Sequence, residues 1–150
     1  MDVSSFSEIK DAFTERVHRV VWCTVATIDT HNRPRSRVLH PIWEASIGWI
    51  LTRRNSHKAK HLAHNPYVSL TYVETVMKFA YVDCKAEWVD DPDEISRIWD
   101  WFKSTPEPLG YDPTIIFKSP DDPNTGLLKL IPWRIALVDF PDETRVWHAK

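Results

Sequence analysis

The sequence predicts a mainly β fold, a β-barrel with accessory helices, and three observations support this prediction. Short segments rich in Val, Ile, Thr and aromatic residues follow one another, separated by connections of hairpin length. Strands and helices do not alternate regularly, which argues against a parallel sheet. The 150 residues, 43% of them hydrophobic, suit one domain over residues 1–150 with a sizeable core. We therefore expect an antiparallel sheet that closes on itself, with helices at its periphery.

The first half of the chain carries clear helix and turn signals. A capping box at residues 5–8 precedes apolar residues at helical spacing, which predicts a helix over residues 6–18. The sequence DTHN at residues 29–32 has the composition of a turn, so strands are expected on both sides of it. The other predictions for this half are strands at 20–28, 35–43, 49–52 and 67–73, a hairpin loop at 44–48, and a short helix that begins at Asn55 or Ser56 and ends at Asn65-Pro66.

The second half begins with a further predicted strand, residues 79–89. Asp91 then has the character of an N-cap, Pro92 suits the first helical position, and Glu94 adds an acid at the third. One apolar helix face follows, made by Ile95, Ile98, Trp99 and Phe102. A short helical turn within residues 111–117 and strands at 127–131, 133–138 and 144–147 complete the expected fold.

Composition and cysteine content exclude several classes of protein. Three glycines, all in turn-like contexts, cannot build a dinucleotide fingerprint or a P-loop, since both need closely spaced glycines. The N-terminal residues lack the pattern of a signal peptide, and no apolar run approaches the ~18 residues of a membrane-spanning helix. Cys23 and Cys84 match no metal spacing and lie in apolar, strand-like runs. We expect them to be buried, reduced thiols in a cytoplasmic protein.

Positive charge is concentrated in one segment of the chain. Residues 31–64 contain seven Lys and Arg side chains but only one acid, Glu44, whereas the whole chain has a net charge of −2. The rest of the chain is therefore acidic. Such a separation indicates either a site for an anionic ligand or a solvated basic face.

The stretch TRRNSHK, residues 52–58, is the most informative part of this segment. A strand ends there and a helix begins, so two arginines and Lys58 crowd a helix N-terminus, where cations are normally unfavourable. An anion held by the free backbone N–H groups would explain the arrangement, with Arg35 or Arg37 of the neighbouring strand adding a bidentate fork. A surface helix whose cations point to water remains the alternative.

The strand that contains these arginines suggests a second property of the site. In residues 35–40, RSRVLH, strand alternation would place the guanidinium groups on one face and Val38 and His40 on the other. A flat aromatic ligand could lie along such a strand.

Several of these stretches, in this order, resemble the pyridoxamine 5′-phosphate oxidase-like family of flavin-binding split-barrel proteins. The matching stretches are RPRSRVL at residues 33–39, Thr52, SHK at residues 56–58, Leu62 and NPYVSL at residues 65–70, within a region that covers about residues 20–90. The resemblance implies a six-stranded antiparallel split barrel with peripheral helices. It also implies a homodimer that binds FMN in a cleft between its subunits.

The resemblance assigns cofactor contacts to eight residues of this sequence. Their implied partners are the FMN phosphate or ribityl chain for Arg37, the isoalloxazine for Val38 and Leu39, the flavin ring or ribityl chain for Leu51 and Thr52, and the phosphate for Ser56, His57 and Lys58. The family commonly has Arg where this chain has His57, which makes the charge at that position dependent on pH.

The sequence departs from true pyridoxamine phosphate oxidases at the residues that bind the phosphate of their substrate. Ile42 lies near the position of their second-strand lysine, and residues 146–148 lack their C-terminal Arg-x-His motif. The resemblance thus implies a flavin-dependent oxidoreductase whose small-molecule substrate is unknown. A reductase that uses the deazaflavin F420 is the alternative on the same fold, and the family also has haem-handling members. No catalytic residue is assigned, because the flavin itself carries the hydride.

Two other readings of the basic segment remain as rivals. His57, His61 and His64 lie near one helix face, but no carboxylate joins them within that helix, so we expect no metal site. A nucleic-acid-binding module would use Trp43 and Trp49 to stack bases, but the net charge of −2 weighs against it. For the other tryptophans, core positions are expected for Trp22, Trp88 and Trp99, while Trp133 and Trp147 could reach a cofactor.

Overall fold

The computed structural model describes residues 1–150 and contains nine strands and three α-helices. The helices are α1 (Lys10–Val20), α2 (His57–His64) and α3 (Pro92–Ser104), and single 3₁₀ turns occur at Phe6–Glu8 and Pro113–Ile115. None of the three helices combines the length and the apolar character that crossing a bilayer requires. The strands are β1 (Asp2–Val3), β2 (Cys23–Ile28), β3 (Pro34–Leu39), β4 (Ile42–Glu44), β5 (Ile47–Arg53), β6 (Tyr67–Thr75), β7 (Lys78–Val89), β8 (Thr125–Asp139) and β9 (Glu143–His148).

The strands form one sheet with the character of a split barrel, which confirms the predicted fold class. The sheet runs in the order β4, β5, β8, β7, β6, β2, β3, and β9 and β1 extend it from the other half of β8. All pairs are antiparallel except β1 with β9. The hydrogen-bonded sheet does not close on itself as expected, because β3 pairs only with β2. An open gap, here called the seam, therefore separates β3 from the part of β5 that β4 does not cover.

Strand β8 joins the two halves of the sheet. Its first part, through Leu130, pairs with β5, and its last part, from Arg134, pairs with β9. The prediction of two strands, 127–131 and 133–138, is wrong, because the strand continues through Pro132. The register against β7 shifts between Asp83 and Cys84, where a bulge accommodates the proline, which has no N–H to donate.

The predicted strand 35–43 is two strands in the structure. β3 ends at Leu39, and β4 begins at Ile42 beyond Pro41 and pairs with β5 instead of β2. The hairpin is also tighter than predicted, since Glu44 already pairs with Ile47. Only Ala45 and Ser46 form the turn, and Ala45 adopts a left-handed backbone conformation with φ of 52°.

The helices begin where their capping residues predict, with one difference at the N-terminus. The capping box of Ser5 and Glu8 is present, but it starts the 3₁₀ turn, and α1 begins only at Lys10. Ser56 is the N-cap residue of α2. Asp91 caps α3 by accepting a hydrogen bond from the Asp93 N–H at 3.0 Å, as its position before Pro92 predicts.

Two apolar clusters form the core. The larger lies between α1 and the inner face of the sheet and contains Phe13, Trp43 and Tyr72, with the Trp43 indole N–H donating to the Tyr72 hydroxyl at 2.9 Å. The smaller packs the apolar face of α3 against β5 and includes Trp49 and Trp99. Cys23 and Cys84 also belong to the larger cluster, which confirms their expected burial, and they form no disulfide.

Two of the three glycines do not lie in turns as their context suggested. Gly48 is inside β5 and Gly126 is inside β8, and no glycine has a positive φ. Gly48 is needed because a Cβ there would lie 2.9 Å from the Trp43 ring, closer than packed atoms approach.

Candidate functional site

A cleft of about 660 Å³ lies along the seam, between β3 and β5. The two strands belong to distant positions in the sheet, and their backbones make no hydrogen bonds to each other. Six of the eight residues with assigned cofactor contacts line this cleft: Val38 and Leu39 from β3, Leu51 and Thr52 from β5, and Ser56 and Lys58 at the start of α2.

One end of the cleft is basic. Lys58 is half-buried there, and its ammonium donates to the Ser56 hydroxyl at 3.3 Å. Burial lowers the pKa of Lys58, and the positive charges of Arg37 and Arg53 lower it further. None of these three cations forms a salt bridge within the chain. Clustered cations without carboxylate partners are suited to an anionic ligand.

The N-terminus of α2 adds hydrogen-bond donors to the same end. Ser56 is the N-cap residue, but its hydroxyl donates to the Arg53 carbonyl at 3.0 Å and does not cap the helix. No side chain therefore accepts a hydrogen bond from the first N–H groups of α2. Uncapped N–H groups and the helix dipole favour an anion at this position.

Arg37 lies beside the cleft, with its guanidinium turned toward β2. Its Nη1 donates to the Thr27 hydroxyl at 2.7 Å and to the Val25 and Arg35 carbonyls at 3.3 Å each. Burial lowers the pKa of Arg37, and the charge of Arg35 lowers it further. The structure thus brings Arg37 close to Lys58 without placing it on the cleft wall.

His57 also lies off the cleft wall. It faces a neighbouring depression on the surface of α2 together with Arg54, Asn55 and Lys60, and Ser56 lies between this depression and the cleft. The structure therefore separates His57 from its neighbours in the SHK stretch.

The other end of the cleft is apolar and aromatic. Trp22 is 56% exposed, so the expectation of a core position is wrong. The centroid of its indole lies 4.6 Å from the centroid of the His40 ring, and the centroid of the Tyr111 ring lies 5.1 Å from the same point. The Nε2 of His40 contacts the Leu109 carbonyl, which ties the residue after β3 to the loop after α3.

Much of the apolar wall was not predicted from the sequence. Tyr111 and residues 115–117 come from the proline-rich connection after α3 and line the cleft. Ile115 is 75% exposed, an unusual value for a large apolar side chain beside a cavity. Only the contrast between its apolar character and its position in a loop could have indicated a role at a surface site.

The residues of the two rival readings have other partners. His61 Nδ1 lies 2.9 Å from the Thr27 hydroxyl, and His64 Nε2 lies 2.8 Å from the Asn32 side-chain oxygen, so the helix histidines do not converge on one point. Trp43 and Trp49 are only 2% and 4% exposed, which leaves neither ring available to stack on a base. Trp147 packs against the larger core cluster, and Trp133 lies on the outer surface away from the cleft.

Fold and cleft together define a split-barrel protein with a basic pocket at the seam of its sheet. The family model described as pyridoxamine 5′-phosphate oxidase matches residues 9–139. The chain therefore belongs to the pyridoxamine 5′-phosphate oxidase family. No curated protein matches its sequence.

Solved structures support the fold at low sequence identity. A NimC/NimA family protein from Clostridium acetobutylicum is 15% identical and superposes with a TM-score of 0.77, covering 96% of this chain and 94% of that one. A pyridoxamine 5′-phosphate oxidase-related, FMN binding protein from Nostoc punctiforme is 16% identical, with a TM-score of 0.72 and coverage of 97% and 94%. A heme binding protein from Mycobacterium smegmatis is 14% identical and superposes with a TM-score of 0.72. The match covers 97% of this chain and 59% of that one.

Proposed function

We propose that the protein binds FMN in the cleft and acts as a flavin-dependent oxidoreductase on a small-molecule substrate. One observation carries the proposal: a single cleft has unpaired cations and an uncapped helix N-terminus at one end and an apolar wall at the other. This gradient matches a ligand with a phosphate at one end and a flat, largely apolar ring at the other. The name of the Nostoc relative, an FMN binding protein, supports the same assignment.

The residues of the cleft have distinct roles in this proposal. Lys58, Ser56 and the first N–H groups of α2 would bind the phosphate, and Arg37 would add its guanidinium from the side. Val38, Leu39 and Leu51 would contact the ring, and Thr52 would contact the ring or the ribityl chain. His57, which faces the neighbouring depression, would contribute charge at longer range. When bound, FMN supplies the hydride chemistry, and the protein supplies position and a partly dry environment.

A homodimer and a cytoplasmic location are part of the same proposal. Trp22, Val38, Ile115 and Ile116 around the cleft are each at least 47% exposed, and a second copy of the chain over the seam would cover apolar surface of this kind. The two unpaired, buried cysteines suit a reducing compartment. Vitamin B6 phosphate oxidation is not proposed, because Ile42 is buried where a substrate-binding lysine would be needed.

The first experiment identifies the cofactor directly. The purified protein is denatured, any released chromophore is identified by mass and absorbance, and the protein is then titrated with FMN, riboflavin and F420. We expect FMN to bind at micromolar concentration and riboflavin to bind more weakly. Tighter binding of F420 would favour the deazaflavin alternative. Haem among the released chromophores would contradict the assignment of FMN.

The second experiment tests the phosphate end with a matched pair of variants. Lys58→Ala removes a cation from the cleft, whereas Lys60→Ala removes one from the same helix outside it. We expect Lys58→Ala to weaken FMN binding by about tenfold or more, since a hydrogen bond to a charged group is lost, and to leave riboflavin binding unchanged. Lys60→Ala should bind FMN as the wild type does. Unchanged FMN affinity in Lys58→Ala would exclude the proposed phosphate position.

A further inference from the structure

Arg37 is anchored mainly by one of its nitrogen atoms. Nη1 donates to the Thr27 hydroxyl and to the Val25 and Arg35 carbonyls. Nε makes no hydrogen bond within the chain, and the only partner of Nη2 is His61 Nδ1, at 3.5 Å. The anchored group therefore leaves the Nε–Nη2 edge of the guanidinium available, and this is the edge that binds a phosphate or carboxylate in bidentate fashion.

The anchor of Arg37 depends on His61 through the hydroxyl of Thr27. A guanidinium only donates, so the Thr27 oxygen accepts from Arg37 and must direct its own hydrogen elsewhere. His61 Nδ1 lies 2.9 Å from that oxygen and is positioned to accept this hydrogen. Acceptance by Nδ1 requires a neutral His61 ring with its proton on Nε2.

The surroundings of His61 favour this neutral ring. The residue is 7% exposed. Burial lowers the pKa of His61 below its ordinary value, and the charges of Arg37 and Arg35 on β3 lower it further. Asp29, after β2, acts in the opposite direction, and His57 on the same helix adds a smaller lowering effect. A protonated Nδ1 would lose the hydrogen bond from Thr27 and would face the Arg37 guanidinium with a like charge.

His61 also lies on the helix that carries the phosphate-binding lysine. Lys58 and His61 are three positions apart in α2, so they lie one above the other on the side of the helix that faces β2 and β3. Thr27 is 2% exposed, so the connection from His61 to Arg37 is shielded from water. One buried network thus joins the helix with Lys58 to the strand with Arg37.

We propose that His61, acting through the Thr27 hydroxyl, is a positioning residue that holds Arg37 with its free edge toward the anion at the basic end of the cleft. The inference rests on the proposed function, because the anion is taken to be the phosphate of FMN. Loss of the neutral ring disturbs the 2.7 Å contact of Nη1 with the Thr27 hydroxyl and leaves only the two 3.3 Å contacts with carbonyls. Arg37 is then held less firmly and has to be ordered in part when the phosphate binds. The network therefore makes cofactor affinity depend on the protonation of a residue that does not touch the cofactor.

The first test compares FMN affinity of the wild type and His61→Asn at about pH 8 and about pH 5.5. The asparagine amide oxygen can replace Nδ1 as an acceptor but does not titrate. Both proteins bind the same ligand, so any effect of the titration of the FMN phosphate on affinity cancels in the ratio of their dissociation constants. We expect a ratio near one at the higher pH and binding by the wild type about fivefold weaker than by the variant at the lower pH. A ratio that stays at one, or tighter binding by the wild type on acidification, overturns the inference.

The second test uses Thr27 and avoids any change in charge. Thr27→Val keeps the shape of the side chain and removes the hydroxyl, whereas Thr27→Ser keeps the hydroxyl. We expect Thr27→Val to weaken FMN binding by about fivefold with riboflavin unaffected, and Thr27→Ser to restore the affinity. Equal FMN affinity in Thr27→Val and Thr27→Ser contradicts the proposed connection.

The third test needs no cofactor and so separates this inference from the proposed function. The tautomer of His61 is read from the ¹⁵N chemical shifts of its ring in the full chain without FMN, with His64→Asn as the control that assigns the neighbouring exposed histidine. We expect a neutral ring with its proton on Nε2 near pH 7. A proton on Nδ1 overturns the role of His61, even if FMN binds. A wild type that binds no FMN overturns the proposed function, while the tautomer still decides the network.

Discussion

The three cations at the basic end of the cleft differ in how firmly each is held. Arg37 is fixed through Nη1 by three oxygen acceptors, while Lys58 has one hydroxyl partner and Arg53 lies exposed at the end of its strand. Ordering a long side chain on binding costs conformational entropy, so the anchored arginine loses least. Lys58, in contrast, has lost part of its hydration already, since it is half-buried. We infer that most of the binding free energy for a phosphate comes from these two residues.

His18 gives the molecule a dependence on pH that is independent of the cleft. Its Nε2 accepts a hydrogen bond from the Trp43 backbone N–H at 3.0 Å, so the ring must be neutral. Burial lowers the pKa of His18 in the folded protein. The unfolded chain therefore binds the proton more readily, and the stabilisation is complete above the unfolded pKa of about 6.5 and is lost as the pH falls below it. We expect the free energy of unfolding to drop by about 1 kcal/mol between neutral pH and pH ~5 from this contact.

Urea unfolding of the wild type and His18→Gln at the two pH values measures this contribution. The glutamine oxygen can accept the same hydrogen bond without titrating, so the variant should lose less stability on acidification. The difference between the two proteins isolates His18 from His40 and His61, whose pKa values burial also lowers. An identical loss in both proteins would assign the effect to the other histidines.

At the scale of residues, the sequence indicated the basic end of the cleft better than the apolar end. The SHK stretch and the strand with Arg37 lie in the one basic segment of the chain, residues 31–64, and this concentration of charge indicated a site for an anion. Trp22 and Tyr111 reach the cleft from parts of the chain that are far apart, and no local sequence pattern indicates that their side chains lie at the same site. Trp22 lies two residues after the end of α1, where an apolar residue normally indicates core.

At the scale of elements, two prolines show why local patterns were not sufficient. Both Pro41 and Pro132 lack the N–H that a ladder needs. Pro41 separates two strands because β3 and β4 pair with different partners. Pro132 interrupts nothing, because β7 pairs with the residues on both sides of it and a register shift absorbs the mismatch. The partner strand decides between these outcomes, and the partner is not visible in the local sequence.

Helix α1 is tied to the sheet by a buried arginine. Arg16 is 6% exposed and donates to the Phe79 and Val138 carbonyls at 2.8 and 3.2 Å. It also pairs with Asp139 at 2.6 Å and with Glu74 at 3.2 Å. Arg16→Met would leave these acceptors buried without their donor. We expect a loss of about 3 kcal/mol in the free energy of unfolding, measured by urea denaturation.

Arg19 provides the matched control for this prediction. It lies one turn further along α1 and pairs with the same Glu74, but its side chain is 55% exposed. Solvent screens an exposed pair, so Arg19→Met should cost far less stability than Arg16→Met. Equal losses would mean that the ion pair with Glu74, and not the burial of Arg16, ties the helix to the sheet.

At the scale of the whole molecule, β8 links the two halves of the sheet. No other strand pairs with all three of β5, β7 and β9, so the connection between the two halves of the sheet depends on β8. Every route through the hydrogen bonds of the sheet from one wall of the cleft to the other passes through β8, β7, β6 and β2. A split barrel could be anticipated from the resemblance to the family, although the sheet has nine strands instead of six. The long circuit could not be predicted, because it follows from which strands pair.

The seam leaves the circuit of strands incomplete, and a ligand that bridges it would complete the ring. FMN in contact with Leu39 on one side and Thr52 on the other would join two strands that the backbone keeps separate. Hydrogen–deuterium exchange measures this effect: amides of β3 and β5 should slow together when FMN is added, while those of β9 should not change. Slowing confined to one of the two walls would mean that the ligand rests on that wall alone. If both walls slow together, FMN is a structural component that closes the barrel as well as the group that carries the hydride.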